Sequence, residues 1–342
     1  MEHTMRILVE SDADGAVLEG RTLAVLGYGN QGRPQALNLR DSGQKVVVGA
    51  RRGGSAWRCA EEDGFEVASI EEAARRADVA LVLLPDEVQG EVFRREIERN
   101  LREGAALCFA HGFAVAFGEI RAGRFDVVLV APKGQGRRLR EAYVEGSGIP
   151  CLIGVEHDET GRARGVALGI AQGLGCLRAG GIETSFREEA VSDLFGEQAV
   201  LCGGVSAVMK RAFDVLIRRG YSPEVAYFEC VHELGIIVDL VTRLGFAGMR
   251  DVISGTAAFG SLAFGEGIIG AEVEREMERL FERIESGEFA REWLEENRRG
   301  GGALAALRDR ERRLPIEEAG KRVRGMLERR GASSNTTGVE KT

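Results

Sequence analysis

The stretch RTLAVLGYGNQGRPQALNLRDSGQKVVVGARRG, residues 21–53, decides the fold of the first half of this chain. An apolar run at 22–26 leads into a G-x-G-x-x-G motif at 27–32. A helical pattern then extends to about residue 42, and a second apolar run, KVVVGA, follows at 45–50. A strand, a glycine-rich turn, a helix and a second strand in this order are typical of a dinucleotide-binding domain.

The glycines explain why this turn suits a dinucleotide. Glycine tolerates the backbone angles of a tight turn, and without a side chain it lets the backbone approach a pyrophosphate at the N-terminus of the helix. A structural glycine turn without a ligand is the alternative, but the order of the surrounding elements favours binding. The residues predicted to contact the cofactor here are Gly27, Tyr28, Gly29, Asn30, Gln31 and Gly32.

The end of the second strand indicates which dinucleotide is bound. Sites for NAD usually place Asp or Glu there to hold the ribose 2′-hydroxyl, whereas this chain has Arg51 and Arg52, followed by Ser55. Guanidinium groups suit a 2′-phosphate, so the sequence favours NADPH. Two solvated loop arginines are the alternative interpretation.

Three further apolar runs end in polar residues. DVALVLLPDEVQ ends near Asp86 and Glu87. AALCFAHGF contains His111, and DVVLVAPKGQG contains Lys133. Because ligands of an open parallel sheet bind beyond the carboxyl ends of the strands, we expect His111 and Lys133 to face the cofactor cleft.

From about residue 183 the pattern becomes helical, and no further strand is predicted. The amphipathic segment VSDLFGEQAVLCGGVSAVMKRAFDVLIRRG places Asp193 and Glu197 four residues apart. The segment YFECVHEL places Glu229 and Glu233 at the same spacing. Residues at this spacing share one face of an α-helix, where two like charges are destabilising, so a positive partner is expected for each pair.

That partner is either an Arg or Lys side chain from elsewhere in the chain or a metal ion. Two pairs supply four carboxylates, which is more than a single salt bridge needs. Oxygen ligands of this kind suit one or two Mg²⁺ ions. His232, close to Glu229 in the sequence, is either a further ligand or a core histidine with a satisfied hydrogen bond.

Composition indicates an ordinary soluble protein. The 342 residues allow two domains, and 44% of them are hydrophobic and 29% charged. A formal net charge of -8 argues against a nucleic-acid partner, and no apolar run is long enough to predict a membrane span. The six cysteines are scattered without CxxC pairs, which indicates reduced residues of a cytoplasmic protein.

These patterns predict two domains and a tail. An α/β dinucleotide-binding domain is expected over residues 1–183, and an all-α domain over 184–330. The polar residues 331–342 are expected to be a disordered tail. Large helical faces with apolar stripes in the second domain favour an oligomer.

Seven motifs resemble those of ketol-acid reductoisomerases, in that family's order and at the spacings of its shorter form. They are GYGNQG, LLPDEVQ, FAHGF, APKG, DLFGEQAVLCGG, YFECVHEL and SGEFAREW. The resemblance covers roughly residues 10–325. The motif around Asp193 and the helix with Glu229 are specific to the family, whereas the glycine motif is shared with many dinucleotide-binding proteins.

The resemblance implies a Rossmann-type N-terminal domain followed by an all-α, knotted C-terminal domain. It implies NADPH as the cofactor, with further contacts from Asp86, Glu87, Val88, Gln89 and Gly136. It also implies two Mg²⁺ ions bound by Asp193, Glu197, Glu229 and Glu233. In this family the second carboxylate pair and a substrate-binding serine, here Ser254, come from the partner subunit of a homodimer or of a dimer-based higher oligomer.

Enzymes of this family convert 2-acetolactate or 2-aceto-2-hydroxybutyrate into 2,3-dihydroxy acids in valine and isoleucine biosynthesis. Deprotonation of the substrate hydroxyl starts a 1,2-alkyl shift, and hydride from the nicotinamide then reduces the rearranged keto acid. The resemblance assigns catalytic roles to His111, Lys133 and Glu233, with Glu233 in proton transfer. The alternatives are a divergent relative acting on another 2-keto acid and a non-catalytic NADP-binding regulator, which would not need four metal carboxylates.

The chain departs from the family's pattern at the substrate pocket and the cofactor loop. In SGTAAFG, Gly255 and Ala258 replace a polar and an acidic residue. After APKG, Gln135, Gly136 and Arg137 stand where Pro-Gly-His is usual. Arg33 and Pro34 follow the glycine motif, and Gly54 and Ala56 flank Ser55 where serines are common. The predicted metal carboxylates are all retained.

Overall fold

A mixed nine-stranded sheet forms in the first of two units, which comprise the residues up to Asp193 and those from Leu194 onward. The computed structural model describes residues 6–334. The strands are β1 Ile7–Leu8, β2 Thr22–Leu26, β3 Lys45–Gly49, β4 Glu66–Ala68, β5 Val79–Val82, β6 Ala106–Phe109, β7 Asp126–Pro132, β8 Cys151–His157 and β9 Gly181–Glu183.

The order across the sheet is β1-β9-β8-β7-β6-β5-β2-β3-β4. Each neighbouring pair from β7 to β4 is parallel. The chain proceeds from β2 to β4 on one side and from β5 to β7 on the other, so a topological switch point lies between β2 and β5. This arrangement confirms the Rossmann-type prediction. Beyond β7, strand β8 pairs antiparallel with β7, and β1 pairs antiparallel with β9.

Helices lie on both faces of this sheet, and each face has its own apolar core. Leu23 and Val25 of β2 belong to one core and Ala24 and Leu26 to the other, as expected for a strand buried on both sides. The helices of this unit are α1 Gly32–Asp41, α2 Ser55–Glu62, α3 Ile70–Arg76, α4 Asp86–Val92, α5 Phe113–Ala116, α6 Gly136–Glu145 and α7 Ala163–Gly173, followed by α8 Phe186–Phe195.

The described residues of the second unit form helices and their connections, with no strand, as the sequence predicts. Its helices are α9 Gly204–Arg218, α10 Pro223–Tyr227, α11 Leu234–Val252, α12 Gly255–Ile268, α13 Ala271–Glu285, α14 Glu288–Arg298, α15 Gly302–Arg312 and α16 Pro315–Ser334. Two π-helical segments, Gly196–Leu201 and Phe228–His232, interrupt the α-helices. The segment YFECVHEL is therefore not part of a continuous α-helix.

The two compact units divide inside α8, between Asp193 and Leu194. Phe186, at the start of α8, is buried in the core of the first unit and contacts Phe109 edge to face, with ring centroids 5.9 Å apart. This packing joins the first two turns of α8 to the sheet. The site residue Asp193 consequently belongs to the first unit.

Two further expectations concern the C-terminal tail and the absence of a membrane span. Helix α16 continues through Ser334, so residues 331–334 of the expected tail are helical, and residues 335–342 lie outside the described part of the chain. Within residues 6–334, no helix has both the length and the apolar content that crossing a lipid bilayer requires.

Candidate active site

The carboxyl ends of three adjacent parallel strands carry the predicted polar residues. Asp86 begins α4 after β5, His111 follows β6, and Lys133 follows β7. Because β5, β6 and β7 are parallel neighbours, these side chains lie at one edge of the sheet. The glycine turn follows β2, a parallel neighbour of β5, and so lies at the same edge.

Asp86 orients the His111 ring. Its Oδ2 atom lies 2.8 Å from Nδ1 of His111, and its Oδ1 atom accepts a hydrogen bond of 3.2 Å from the Gln89 side chain. Gln89 is 4% exposed and also donates to the carbonyl oxygen of Leu84 at 2.7 Å. Both oxygens of Asp86 are thus engaged within the site, although the sequence predicts a cofactor contact for this residue.

Lys133 lies between two carboxylates of α8. Its Nζ atom is 2.8 Å from Oε1 of Glu189 and 2.8 Å from Oδ1 of Asp193. The other oxygen of Glu189 accepts a hydrogen bond of 2.7 Å from the backbone N–H of Gly112, the residue after His111. Glu189 therefore ties the loops after β6 and β7 to α8.

Glu189 is a residue of this cluster that the sequence analysis does not identify. Its carboxylate is 1% exposed and fully engaged by Lys133 and Gly112. The signal was present in the sequence, because Glu189, Asp193 and Glu197 follow one another at intervals of four residues. Extending the i, i+4 pattern one turn toward the N-terminus would have found it.

His111, Glu189 and Asp193 form a cluster that can hold a cation. Ligand atoms of the three residues all lie within 4.8 Å of one another. Nε2 of His111 is buried without a hydrogen-bond partner among the described residues, and it lies 3.6 Å from Oδ2 of Asp193. A buried polar atom of this kind needs a partner, so a ligand, a water molecule or a substrate oxygen fits between these groups. The carboxylate oxygens are ligands that Mg²⁺ prefers.

The acidic surroundings control the charge of the two basic groups. Burial opposes protonation of His111, but the hydrogen bond and charge of Asp86, helped by Glu189 and Asp193, raise the pKa of His111 to about 9. Burial likewise opposes the charge of Lys133, yet the two neighbouring carboxylates raise its pKa above the ordinary value. Without a bound cation, both groups are therefore positively charged at neutral pH.

The glycine turn is packed so that a ligand can approach its backbone. A Cβ atom on Gly32 would lie 2.0 Å from the Gly27 carbonyl oxygen, and one on Gly136 would lie 1.6 Å from that of Asn30. Both positions thus require glycine. In contrast, a Cβ atom on Gly29 would meet no atom within 4 Å, so this backbone faces open space, as a pyrophosphate site requires.

The side chains of the turn have contacts of their own. Gln31 donates a hydrogen bond of 3.2 Å to the Gly134 carbonyl oxygen and joins the turn to the Lys133 loop. Tyr28 is buried, and its hydroxyl group donates to Asp63 at 2.8 Å, so only its backbone is available to a cofactor. Asn30 is exposed.

The two unusual arginines, Arg33 in the first turn of α1 and Arg137 in the first turn of α6, have ion-pair partners. Arg33 forms a bidentate pair with Asp63, at 2.7 and 2.9 Å, and therefore faces α2 and its C-terminal loop. Arg137 is 89% exposed and pairs with Glu141 one turn along α6. At both positions that depart from the family's pattern, the arginine therefore forms a local ion pair.

The predicted phosphate-binding loop follows β3. Arg51, Arg52 and Ser55 are all exposed, and Ser55 is the first residue of α2. Arg52 forms an ion pair with Glu72, whereas Arg51 has no ion pair among the described residues. Glu87 and Val88, also predicted to contact the cofactor, are half-buried in the first turn of α4.

The remaining predicted metal and substrate residues belong to the second unit. Glu197 and Glu229 lie in the two π-helical segments, and Glu233 immediately precedes α11. All three are exposed. Short π-helical insertions in α-helices are frequent at functional sites, which supports a role for these segments. Ser254 is exposed and caps α12, where its Oγ atom accepts a hydrogen bond of 3.2 Å from the Ala257 N–H.

The structure tests the Arg or Lys partner that is one alternative predicted for each carboxylate pair. The first interpretation, a salt bridge to Arg or Lys, applies to Asp193, which pairs with Lys133. Glu229 and Glu233 have no such ion pair with the described residues. His232 is exposed and contacts the Phe228 ring edge to face, so the interpretation as a core histidine is wrong for this chain by itself.

Comparison with family models places almost the whole chain. Residues 17–180 match the model of the acetohydroxy acid isomeroreductase NADPH-binding domain. Residues 186–329 match that of the ketol-acid reductoisomerase C-terminal domain. The two matches are adjacent and in the order that the sequence motifs predict.

Comparison with solved structures gives the same result. The chain is similar to an NADH-preferring ketol-acid reductoisomerase from an uncultured archean, with a TM-score of 0.91, 45% sequence identity, and coverage of 94% of this chain and 99% of that one. It shares the fold of an NAD-binding semialdehyde dehydrogenase protein from Cupriavidus necator, with a TM-score of 0.57, 20% identity and coverage of 80% and 99%. A putative oxidoreductase from Jannaschia also shares the fold, with a TM-score of 0.57, 15% identity and coverage of 78% and 97%.

Proposed function

The chain belongs to the ketol-acid reductoisomerase family of oxidoreductases, and from this premise we propose that it acts on 2-acetolactate and 2-aceto-2-hydroxybutyrate. The products are 2,3-dihydroxy acids, formed by a 1,2-alkyl shift followed by reduction. The observation that carries this proposal is the cluster of His111, Lys133, Glu189 and Asp193 at the carboxyl edge of a dinucleotide-binding sheet. A protein that only bound a dinucleotide would not need it.

The proposed metal is Mg²⁺, as two ions bound by Asp193, Glu197, Glu229 and Glu233. When bound, Mg²⁺ would supply Lewis-acid catalysis for the alkyl shift, and the dinucleotide would supply hydride for the reduction. Asp193 suits metal binding because, among the described residues, no donor is within hydrogen-bond distance of its Oδ2 atom, while Lys133 donates to Oδ1.

The residues of the first unit would fix and charge the site. Glu189 holds Lys133 and the Gly112 N–H, so it sets the position of the ammonium group relative to Asp193. Lys133 would stabilise negative charge that develops on a substrate oxygen. His111, oriented by Asp86, presents Nε2 toward the same region. We propose Glu233 as the group that transfers the proton of the substrate hydroxyl.

We propose that NADPH is the preferred dinucleotide and that NADH is also used. Arg51 is exposed and available to a 2′-phosphate, which supports NADPH. The serines common in this loop are replaced by Gly54 and Ala56, and the structure that is 45% identical is NADH-preferring. We therefore expect only a modest preference, on the order of tenfold.

We also propose that two copies of the chain form a dimer with shared active sites. Helix α12 is apolar, yet none of its residues is buried. Four large apolar side chains on it are each between 63% and 71% exposed: Phe259, Leu262, Phe264 and Ile268. One buried apolar cluster of the second unit, formed by Phe213, Ala226, Ile316 and Ala319, contains no residue of this helix. An exposed apolar helix of this kind is typical of an interface, and a second copy would supply Ser254, Glu229 and Glu233.

The test is a coupled measurement of dinucleotide oxidation. Purified protein with Mg²⁺ and NADPH should oxidise the dinucleotide when 2-acetolactate is added, and not when Mg²⁺ is chelated. Analytical ultracentrifugation of the wild type should give at least a dimer, which Phe259→Asp should weaken. No oxidation with either dinucleotide and either proposed substrate would overturn the proposal.

A further inference from the structure

The two arginines of the cofactor loop lie in different environments. Arg51 is exposed and forms no ion pair with the described residues. Nη2 of Arg52 lies 3.3 and 3.2 Å from the two carboxylate oxygens of Glu72, and its guanidinium carbon lies 5.9 Å from the centre of the Trp57 ring. The guanidinium group of Arg52 therefore already has an anionic partner.

That partner is fixed in position by its own helix. Glu72 is the third residue of α3, and its Oε2 atom accepts hydrogen bonds of 3.1 and 2.9 Å from the N–H and hydroxyl groups of Ser69. The Ser69 Oγ atom in turn accepts from the Glu72 N–H at 3.2 Å, which completes a capping box. These hydrogen bonds lower the pKa of Glu72, so its carboxylate is charged at neutral pH.

The pair lies at the same edge of the sheet as the glycine turn. Strands β3 and β4 are parallel, so the Arg52 loop and the start of α3 both follow carboxyl ends of strands. Arg52, Trp57 and Glu72 line a surface cleft of about 510 Å³ together with Val67, Ala68 and Arg76. A ligand phosphate that reaches Arg52 at this edge therefore meets the Glu72 carboxylate as well.

We propose that Glu72 is a determinant of dinucleotide selectivity, because it competes with a 2′-phosphate for the guanidinium group of Arg52. The inference rests on the proposed function in that it takes the loop after β3 as the site of the 2′-group. A phosphate must share Arg52 with a fixed negative charge, which weakens NADPH binding. NADH has a hydroxyl group there and is unaffected. Of the two arginines, only Arg51 can then bind the 2′-phosphate without competition from a carboxylate of the protein.

The test is direct binding of NADPH and NADH to metal-free protein by isothermal titration calorimetry. Glu72→Gln removes the charge but retains the capping box, since Gln also serves at this position. It should tighten NADPH binding by about three- to five-fold, the range of an exposed ion pair, and leave NADH binding within about two-fold. Glu71→Gln is the matched control, because Glu71 is in the same turn of α3 but pairs with Arg75.

Arg52→Gln in the Glu72→Gln background identifies the group involved. This second change should abolish the gain in NADPH affinity. Equal tightening in Glu71→Gln, equal tightening for NADH, or no change in Glu72→Gln would each overturn the inference while leaving the proposed function intact. If the wild type bound neither dinucleotide, the proposed function would fail as well.

Discussion

The carboxylate of Asp86 lies 2.8 Å from Nδ1 of His111, and this contact determines which ring nitrogen faces the rest of the site. A charged carboxylate only accepts hydrogen bonds, so Nδ1 carries a proton whether the ring is neutral or charged. Nε2 is consequently the atom directed at Asp193, whose Oδ2 atom is 3.6 Å away. The pair explains how a buried histidine is held in one orientation.

Replacing Asp86 should remove a pH-dependent part of the stability. The pKa of folded His111 is about 9 against an ordinary 6.5, because the hydrogen bond and charge of Asp86, with the charges of Glu189 and Asp193, outweigh the opposing effect of burial. A raised pKa gives stability that is fully present below pH 6.5 and is lost as the pH rises through 9. We expect Asp86→Asn to lower the free energy of unfolding by up to about 3 kcal/mol at low pH and by less above pH 9. Urea denaturation of metal-free protein across this range measures it.

The control for this experiment is the Asp86→Asn substitution in a protein that lacks His111. In a His111→Gln background, Asp86→Asn should have an effect that does not vary with pH. A pH-independent difference in the wild-type background would contradict the assigned role of the pair.

Lys133 should stabilise the metal-free protein by separating two carboxylates. Lys133→Met leaves Glu189 buried without its cation, which we expect to cost about 2 kcal/mol because Lys133 itself is partly exposed. Adding Mg²⁺ should raise the thermal midpoint of this variant more than that of the wild type. Lys210→Met, which breaks a surface pair with Glu311, serves as the control. An equal response to Mg²⁺ in all three proteins would argue against cation binding near Lys133.

Asp193 should be essential for isomerisation and dispensable for dinucleotide binding. Asp193→Asn removes a predicted metal ligand, so we expect loss of 2-acetolactate turnover with NADPH affinity within about two-fold of the wild type. Glu229→Gln should behave in the same way. Glu188→Gln, on the same helix but hydrogen-bonded to Thr184, should remain active. Near-normal turnover by Asp193→Asn, or full activity in excess chelator, would exclude this metal site.

Arg51 should account for most of the preference for NADPH. We expect a preference of about tenfold in kcat/KM in the wild type, equivalent to about 1.4 kcal/mol. Arg51→Asp should narrow or reverse the preference, because it places a negative charge near the 2′-phosphate. Arg137→Asp, at an exposed position on α6, is the control for the change in net charge. A wild type that preferred NADH would show that the loop does not serve a phosphate.

Gly255 and Ala258 should broaden the substrate range. Gly255 and Ala258 are smaller than the polar and acidic residues usual in the family, so the substrate pocket should be larger. A larger pocket discriminates weakly between two substrates that differ by one methylene, by only about 1–3 kcal/mol. We expect turnover of both substrates with a higher kcat/KM for 2-aceto-2-hydroxybutyrate. Gly255→Asn with Ala258→Glu should shift the ratio toward 2-acetolactate, and a Cβ atom at Gly255 meets no atom within 4 Å. An unchanged ratio would show that these positions do not line the pocket.

The parallel part of the sheet is predictable from sequence because it is recorded in local patterns. Strand β2, the glycine turn and α1 follow one another within residues 22–41, and β5, β6 and β7 are continuous apolar runs. In contrast, sequence analysis does not predict β8, although it is as long as β7. Only its first part is an apolar run, because Val155 and Glu156 are exposed and His157 is half-buried.

Contacts between distant residues were less accessible. The motifs located His111 and Lys133, but the roles of Asp86 and Glu189 depend on separations of 25 and 56 residues that no local pattern records. The π-helical segments at Glu197 and Glu229 also escaped prediction, because the i, i+4 spacing reads as an ordinary α-helix. The four-residue spacing predicts which carboxylates belong to the site, but it does not predict the conformation of the backbone that carries them.

The most direct test of the proposed reaction is the proton NMR spectrum of the product formed from 2-acetolactate, NADPH and Mg²⁺. Alkyl migration followed by reduction places both methyl groups on C3, which has no hydrogen, so we predict two methyl singlets. Reduction without migration would leave one methyl group on C2 and one beside a new C–H. A product with one methyl singlet and one methyl doublet would therefore contradict the account.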